Sequence, residues 1–340
     1  MFDTQPLYKV AKALLAPRKG ILAADQSVTS MNKQLESLGL KPTPELRRLY
    51  RQLLFTTPGM EEFVSGVILH DASIRNHTDE GTKFSDVLIA KGIIPIIKVD
   101  KGTVPHDNYP REVLTQGLDD LAERAREYYN MGARASKWRA VLTISDNTPT
   151  MENLRTDAMT MARYASIMQN AGLLPIVEPE VLFSGSHSLR RAQAVTTETL
   201  RVFFSALVEQ KVDLKAVILK SSMVLAGSSH KNQSTPEEVA VATIETFKQS
   251  VPETVPGIVF LSGGQTPKRA TANLNAIAKL EAESDLPWEF AFSFSRGIEE
   301  PVQNAWLGKK ENVPLAQAEL IKRLRLNSLA DGGEYSPDME

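Results

Sequence analysis

At 340 residues, with 42% apolar and 24% charged positions, the chain buries an ample core and needs no disulfide or structural metal to hold it. Its 39 basic and 41 acidic side chains nearly cancel, so a formal charge of −2 gives no reason to expect nucleic acid or an anionic membrane as partner. There is no cysteine, which excludes disulfides, thiolate zinc sites and a catalytic thiol.

The opening Met1–Pro6 lacks a basic stretch followed by an apolar one, so no secretory signal is expected. No apolar run reaches bilayer length. The chain reads as soluble and cytoplasmic. From Pro6 to Ala16 apolar residues recur at helical spacing, and Pro17 ends the pattern. Gly20–Asp25 is a short apolar run ending in a carboxylate. Helices are expected at about Ser30–Leu38 and Thr43–Phe55, the second opened by a Thr43 cap with Pro44 in its first turn. Val64–His70 is a second strand. The polar stretch Asp71–Ser85 has little periodicity and reads as a long loop, with room for one short helix after it.

Ile93–Asp100 is a strand that again ends in charge. An amphipathic helix is expected over Arg111–Tyr129, stopping before Gly132. Ala133–Leu142 alternates at period two, with Lys137 and Arg139 on one face. A helix follows over Thr150–Asn170. The strand Leu173–Glu180 carries Glu178 and Glu180 at its end. A helix over Ser188–Lys211 leads to the apolar run Ala216–Leu219, which ends in Lys220. Thr235-Pro-Glu-Glu238 matches a capping box and opens a helix to about Gln249. Gly257–Gly264 is a strand with a glycine turn. A helix near Pro267–Glu281 precedes the last strand, Trp288–Arg296. A helical region from about Leu315 runs into a polar tail over residues 331–340.

Eight strand candidates, most followed by a helix, imply parallel pairing with right-handed crossovers. The length alone admits two average domains. Eight such units point instead to one α/β domain over residues 1–340, a (β/α)8 TIM barrel with extra N- and C-terminal helices. No Gly-x-Gly-x-x-Gly follows an early strand, which speaks against a doubly wound dinucleotide fold.

Catalytic groups in such a barrel come from the C-terminal ends of the strands. Those ends carry Asp25, Lys98, Lys137 with Arg139, Glu178 with Glu180, Lys220, Ser262-Gly263-Gly264, and Arg296. Each taken alone is an ordinary solvated strand end; together they converge on one mouth. Three lysines, two arginines and three carboxylates there suit an anionic substrate handled by an amine. Burial disfavours the charged form of an amine, and a neutral amine attacks carbonyls. Lys220 is therefore the candidate nucleophile, with Lys137 or Arg139 as a neighbouring cation. A glutamate beside it can protonate departing water, and an aspartate can take and return a proton. The Ser262–Gly264 turn and Arg296 fall where barrels of this kind bind phosphate. The five histidines are scattered with no ligand spacing, so they read as loop and strand-end residues, not metal ligands.

Gly20–Asp25, Ile97–Gly102, Lys137-Trp-Arg139, Pro175–Glu180, Leu219-Lys220, Phe260–Gln265 and Lys309–Asn312 occur in this order. Together they resemble the class I, Schiff-base, metal-independent fructose-1,6-bisphosphate aldolases, over about residues 8–337. The resemblance implies that Lys220 forms an imine with the C2 ketone of fructose 1,6-bisphosphate. It implies Glu178 as acid/base, Asp25 as acceptor of the C4 hydroxyl proton, Lys137 as helper in carbinolamine chemistry and Glu180 as positioner of the charges. It also implies a C1-phosphate side at Ser262, Gly263, Gly264 and Arg296, with Ser293 binding substrate nearby. A C6-phosphate side is implied at Ser27, Ser30 and Lys98, with Arg139 lining the mouth. No metal or cofactor is implied, and a homotetramer is.

This chain departs from the family at Gln26, where glutamate is frequent. It departs again at Gln34, where an arginine is expected; Lys33 or Arg47 would substitute. Ser221-Ser222 replaces the usual Pro-Asn after the lysine. Animal members carry a longer tail ending in a tyrosine, whereas the last tyrosine here is Tyr335. A ketose bisphosphate such as sedoheptulose 1,7-bisphosphate, or an idle scaffold barrel, are the alternative readings.

Overall fold

A computed structural model describes residues 4–340; the first three residues, part of the segment read for a signal, lie outside the described residues. Among the described residues ten strands occur in chain order: β1 (Gly20–Ala24), β2 (Val64–Leu69), β3 (Ile94–Lys98), β4 (Thr103–His106), β5 (Tyr109–Thr115), β6 (Ala135–Leu142), β7 (Leu174–Val181), β8 (Ile218–Ser222), β9 (Gly257–Leu261) and β10 (Glu289–Phe292). Eight of them form one parallel sheet in the order β1-β2-β3-β6-β7-β8-β9-β10. The sheet curls until the Ala23 N–H donates to the Phe294 carbonyl at 2.9 Å, joining its first strand to the segment just past its last. This is the expected TIM barrel. Gly20 belongs to that seam: a Cβ there would come within 2.4 Å of the Phe292 ring.

Strand alternation decides what each face becomes. Ile21 and Ala23, Ile68, Ile96, Ala135, Leu174 and Ile176, Ile218, Val259 and Ala291 pack together inside the barrel. Leu7, Ala11, Leu14 and Leu15, from the helix Gln5–Leu14 and its cap, join this cluster. The alternate residues, such as Leu22, Leu69, Trp138, Val177 and Leu219, face the surrounding helices in a larger cluster. Two residues further along the inner row of five of the eight strands the apolar side chains give way to charge: Asp25 after Ala23, Lys98 after Ile96, Lys137 after Ala135, Glu178 after Ile176, Lys220 after Ile218. The same parity that makes the core therefore aims the charges into the barrel mouth.

Three sequence expectations need correction. The expected helix over Arg111–Tyr129 is instead the antiparallel hairpin β4–β5 followed by a shorter helix, Leu121–Asn130. Asp107-Asn108 forms its tight connection between His106 and Tyr109. Tertiary bonds hold it: Glu112 accepts from the Thr150 backbone at 2.8 Å and its hydroxyl at 2.6 Å, and Asp157 accepts from the Thr115 N–H at 3.1 Å. Gly117, at φ 126°, keeps helix from running through.

The last strand stops at Phe292, and Arg296 is instead the first residue of the helix Arg296–Trp306. Pro301 lies inside that helix, and a proline there hid its periodicity. The loop Asp71–Ser85 contains one helical turn, Asp71–Ile74, before the short helix Phe84–Ala90. The Thr43 cap, the Thr235–Glu238 capping box and the long helices Met151–Asn170 and Leu189–Glu209 form where the sequence placed them. The final residues fold back: Tyr335 is buried and Glu340 binds the buried Arg323 at 2.7 Å.

Candidate active site

Lys220 lies mid-strand in β8, 3% exposed, where the expectation had the strand ending at it. Its Nζ is 3.2 Å from Oε1 of Glu178 on the neighbouring strand β7. The other oxygen, Glu178 Oε2, is 3.1 Å from Lys137 Nζ, and Lys137 Nζ is 2.7 Å from Asp25 Oδ2. Four buried ionisable side chains from β8, β7, β6 and the end of β1 thus alternate in sign along one continuous chain of contacts. Glu178 Oε2 has no hydrogen-bond partner within the protein, so its contact with Lys137 is Coulombic and it keeps a lone pair for a ligand.

Electrostatics fix the charge states of this chain. Burial acts to raise the Asp25 carboxyl, but Lys137 and Lys220 outweigh it and hold Asp25 well below the usual carboxylate range. Glu178 is likewise lowered: burial opposes, and Lys137 and Lys220 win. Burial acts to lower Lys137, yet Asp25 and Glu178 raise it, so it is a firm ammonium at neutral pH. Arg139 pairs through Nε with Glu180, and that carboxylate more than offsets the cost of burying its guanidinium.

Around this centre lies a cavity of about 360 Å³ whose lining includes most of the expected substrate-binding residues. On one side, Ser27 caps the helix Val28–Ser37, accepting from the Ser30 N–H at 3.2 Å, and its hydroxyl donates to that of Ser30 at 3.1 Å. Two hydroxyls at a helix N-terminus suit an anion. Lys98 stands near this side, held by Asp100 through Oδ1 at 2.5 Å and the backbone carbonyl at 3.0 Å. On the other side, Gly263 and Gly264 take φ of 54° and 87°, the left-handed backbone that turns successive N–H groups to one side. Ser262 Oγ accepts from the Gly297 N–H at 3.4 Å, and Arg296 projects from the first turn of its helix. The buried Ser293 hydroxyl lines the cavity with no hydrogen-bond partner in the protein.

Arg47 is not brought in. Its guanidinium bonds Asn32 Oδ1 at 2.8 Å and lines an adjoining cavity. Lys33 points to solvent and does not line the mouth either. Gln34, where a cation was expected, does line it and accepts from Gln303 at 3.2 Å. Sequence reasoning missed Asp100, Gln26 and Ser295 as part of the site. Asp100 had a signal, two residues beyond Lys98 on a strand of period two. Ser295 had none, because the helix it precedes was not foreseen.

No helix among the described residues is long and apolar enough to cross a membrane. The family model described as glycolytic fructose-bisphosphate aldolase class-I matches residues 6–340. A fructose-bisphosphate aldolase of Schistosoma mansoni is 46% identical over 98% of this chain and 92% of its own length. One of Drosophila melanogaster is 47% identical over 97% and 91%. A probable class 1 enzyme of Xanthomonas axonopodis is 43% identical over 97% and 98%. Among solved structures, the fructose-bisphosphate aldolase of Plasmodium falciparum, crystallised with TRAP and a small-molecule inhibitor, superposes with a TM-score of 0.95. It shares 42% identity over 98% of this chain and 96% of its own.

Proposed function

The chain belongs to the class-I fructose-bisphosphate aldolases, lyases that reversibly cleave fructose 1,6-bisphosphate through a lysine Schiff base, and on that premise we propose that Lys220 is the lysine. The substrate is a phosphorylated sugar, and the alternative readings from sequence gain nothing from relatives that carry the fructose-bisphosphate name. One observation carries the proposal: Lys220, Glu178, Lys137 and Asp25 stand in unbroken contact at the mouth of the barrel.

Glu178, 3.2 Å away, takes a proton from Lys220, whose amine adds to the C2 ketone, giving a carbinolamine. Glu178 then passes that proton to the departing hydroxyl, and water leaves as the iminium forms. Asp25, held ionised, accepts the C4 hydroxyl proton while the C3–C4 bond breaks; its electron pair flows into the iminium as an enamine. Glyceraldehyde 3-phosphate departs. A proton returns to C3, water re-adds to the iminium and dihydroxyacetone phosphate is released. Lys137 stabilises both carboxylates through these transfers, and Glu180 holds Arg139 at the rim. The Ser262–Gly264 turn with Arg296 takes one phosphate and Ser27, Ser30 and Lys98 the other, with Ser293 donating to the chain between them. A cytoplasmic homotetramer is the assembly this reading favours, and the mass in solution by light scattering checks the assembly.

Borohydride reduction with dihydroxyacetone phosphate tests the reading. The expected result is a covalent adduct on the Lys220 peptide by mass spectrometry, absent in Lys220→Met, with cleavage unchanged in chelator. An adduct on another lysine, or activity abolished by chelator, overturns it.

A further inference from the structure

Gln26 follows Asp25 directly and lines both the active-site cavity and the adjoining one. Its Nε2 donates to Ser295 Oγ at 2.7 Å and to Glu299 Oε1 at 2.8 Å. Its Oε1 accepts from Arg51 Nη2, and Arg51 Nη1 is 3.2 Å from Glu299 Oε2. Arg51 and Glu299 are 4% and 1% exposed, so this closed ring of bonds is out of water. It ties three separated pieces of chain: the end of β1, the helix Pro44–Thr56 and the start of the helix Arg296–Trp306.

Those pieces lead into the two proposed anion-binding groups of the site. Ser27 and Ser30 adjoin Gln26, while Ser295 immediately precedes Arg296. We propose that Gln26 is a positioning residue that sets the span between the two anion-binding ends of the cavity by clamping Ser295 to the first strand. The proposal rests on the phosphate assignments made above.

This position needs a side chain that both donates and accepts. Arg51 offers only donors and Glu299, when ionised, only acceptors, so the residue between them must accept from one and donate to the other. Leucine does neither. A protonated carboxyl does both, but an ionised one would set two carboxylates against each other about 3 Å apart, and like charges at that distance disfavour joint ionisation. The charged and titratable groups facing position 26 are Asp25 beside it, Arg51 and Tyr50 from the helix Pro44–Thr56, and Glu299 and Arg296 from the last barrel helix. His70 lines the adjoining cavity.

Steady-state cleavage by purified Gln26→Leu and Gln26→Glu, followed from about pH 6 to about pH 8.5, tests this. For Gln26→Leu the KM for fructose 1,6-bisphosphate rises roughly tenfold or more, with a smaller fall in kcat. Gln26→Glu is expected near wild-type KM at the acid end, with KM climbing as pH rises, a limb the wild type lacks. Unchanged KM in Gln26→Leu, or a Gln26→Glu profile that parallels wild type, overturns the proposal. Borohydride trapping on wild type keeps the two readings apart. If wild type forms no Lys220 adduct, the catalytic assignment fails; if it does and KM still ignores position 26, this inference alone fails. Should Gln26→Leu not fold, the pH limb of Gln26→Glu decides.

Discussion

Lys220 and Glu178 meet end to end on neighbouring strands, Nζ to Oε1 at 3.2 Å, while the second carboxylate oxygen faces Lys137 at 3.1 Å. One carboxylate therefore serves two amines, and only one of them has a second anion, Asp25, to keep it charged. That asymmetry fits the proposed roles: Lys137 is held as a cation by two carboxylates, while Lys220 has only Glu178 to part from when it reacts.

Glu178→Gln removes the proton donor and keeps the shape. The kcat for cleavage is expected to fall by about 10²–10⁴-fold, with a smaller change in KM. Single-turnover mixing should show slow imine formation as the limiting step. Fast adduct formation in this variant would move the acid/base role elsewhere.

Lys137→Met leaves Asp25 and Glu178 buried without their shared cation. Breaking a buried ionic contact from one side costs about 3–5 kcal/mol at neutral pH. In the wild type the Asp25 and Glu178 carboxyls are depressed, so their pairing contributes stability above the unfolded carboxylate values. It is lost as pH falls below about 4 through the folded values. In the variant the sign reverses at Asp25, which loses its ion-pair partner and, buried, favours protonation, while Glu178 keeps Lys220 alone. Urea denaturation at about pH 5 and about pH 8 should show the variant relatively more stable at the lower pH.

Asp157, on the helix Met151–Asn170, lies beneath the β4–β5 hairpin with one carboxyl oxygen unpartnered. Burial pushes its carboxyl up to about 7; the Thr115 N–H draws it down and Glu112 adds to the rise. A raised acid binds its proton more tightly folded than unfolded, so this group lowers stability progressively from about pH 4 to about pH 7. Asp157→Asn keeps the acceptor for Thr115 and abolishes the charge. It should flatten that part of the stability profile and raise stability at pH 8 by on the order of 1–3 kcal/mol. Denaturant midpoints across pH check it.

Glu340→Ala removes both hydrogen bonds from Arg323 Nη1, at 2.7 and 2.8 Å, and the partner of the Tyr335 hydroxyl. Hydrogen bonds to charged groups of this kind are worth about 1.5–3 kcal/mol. A matching loss of stability is expected with kcat unchanged, since neither residue lines the cavity. Calorimetry beside a cleavage assay separates the two readouts.

Most of the barrel was legible because five of the eight inner rows keep their parity from the apolar layer into the charged one, as in Ile21-x-Ala23-x-Asp25 and Ile218-x-Lys220. The hairpin was not, since Arg111–Thr115 has helix-compatible spacing. What makes it a strand is Glu112 and Asp157 bonding across to Thr150 and Thr115, partners about 40 residues away in sequence. Arg47 looked like a spare cation for the mouth, but helical phase turns it toward Asn32. Gln26 read as a departure from the family, and only the fold shows Arg51 and Glu299 converging on it.

The seam where Ala23 meets Phe294 has a consequence for the chain as it is made. Asp25 is translated well before the segment around Phe294 that completes its surroundings. A nascent chain is therefore expected to handle no sugar until Phe294 has emerged, and a fragment cut short before that seam is expected to be silent.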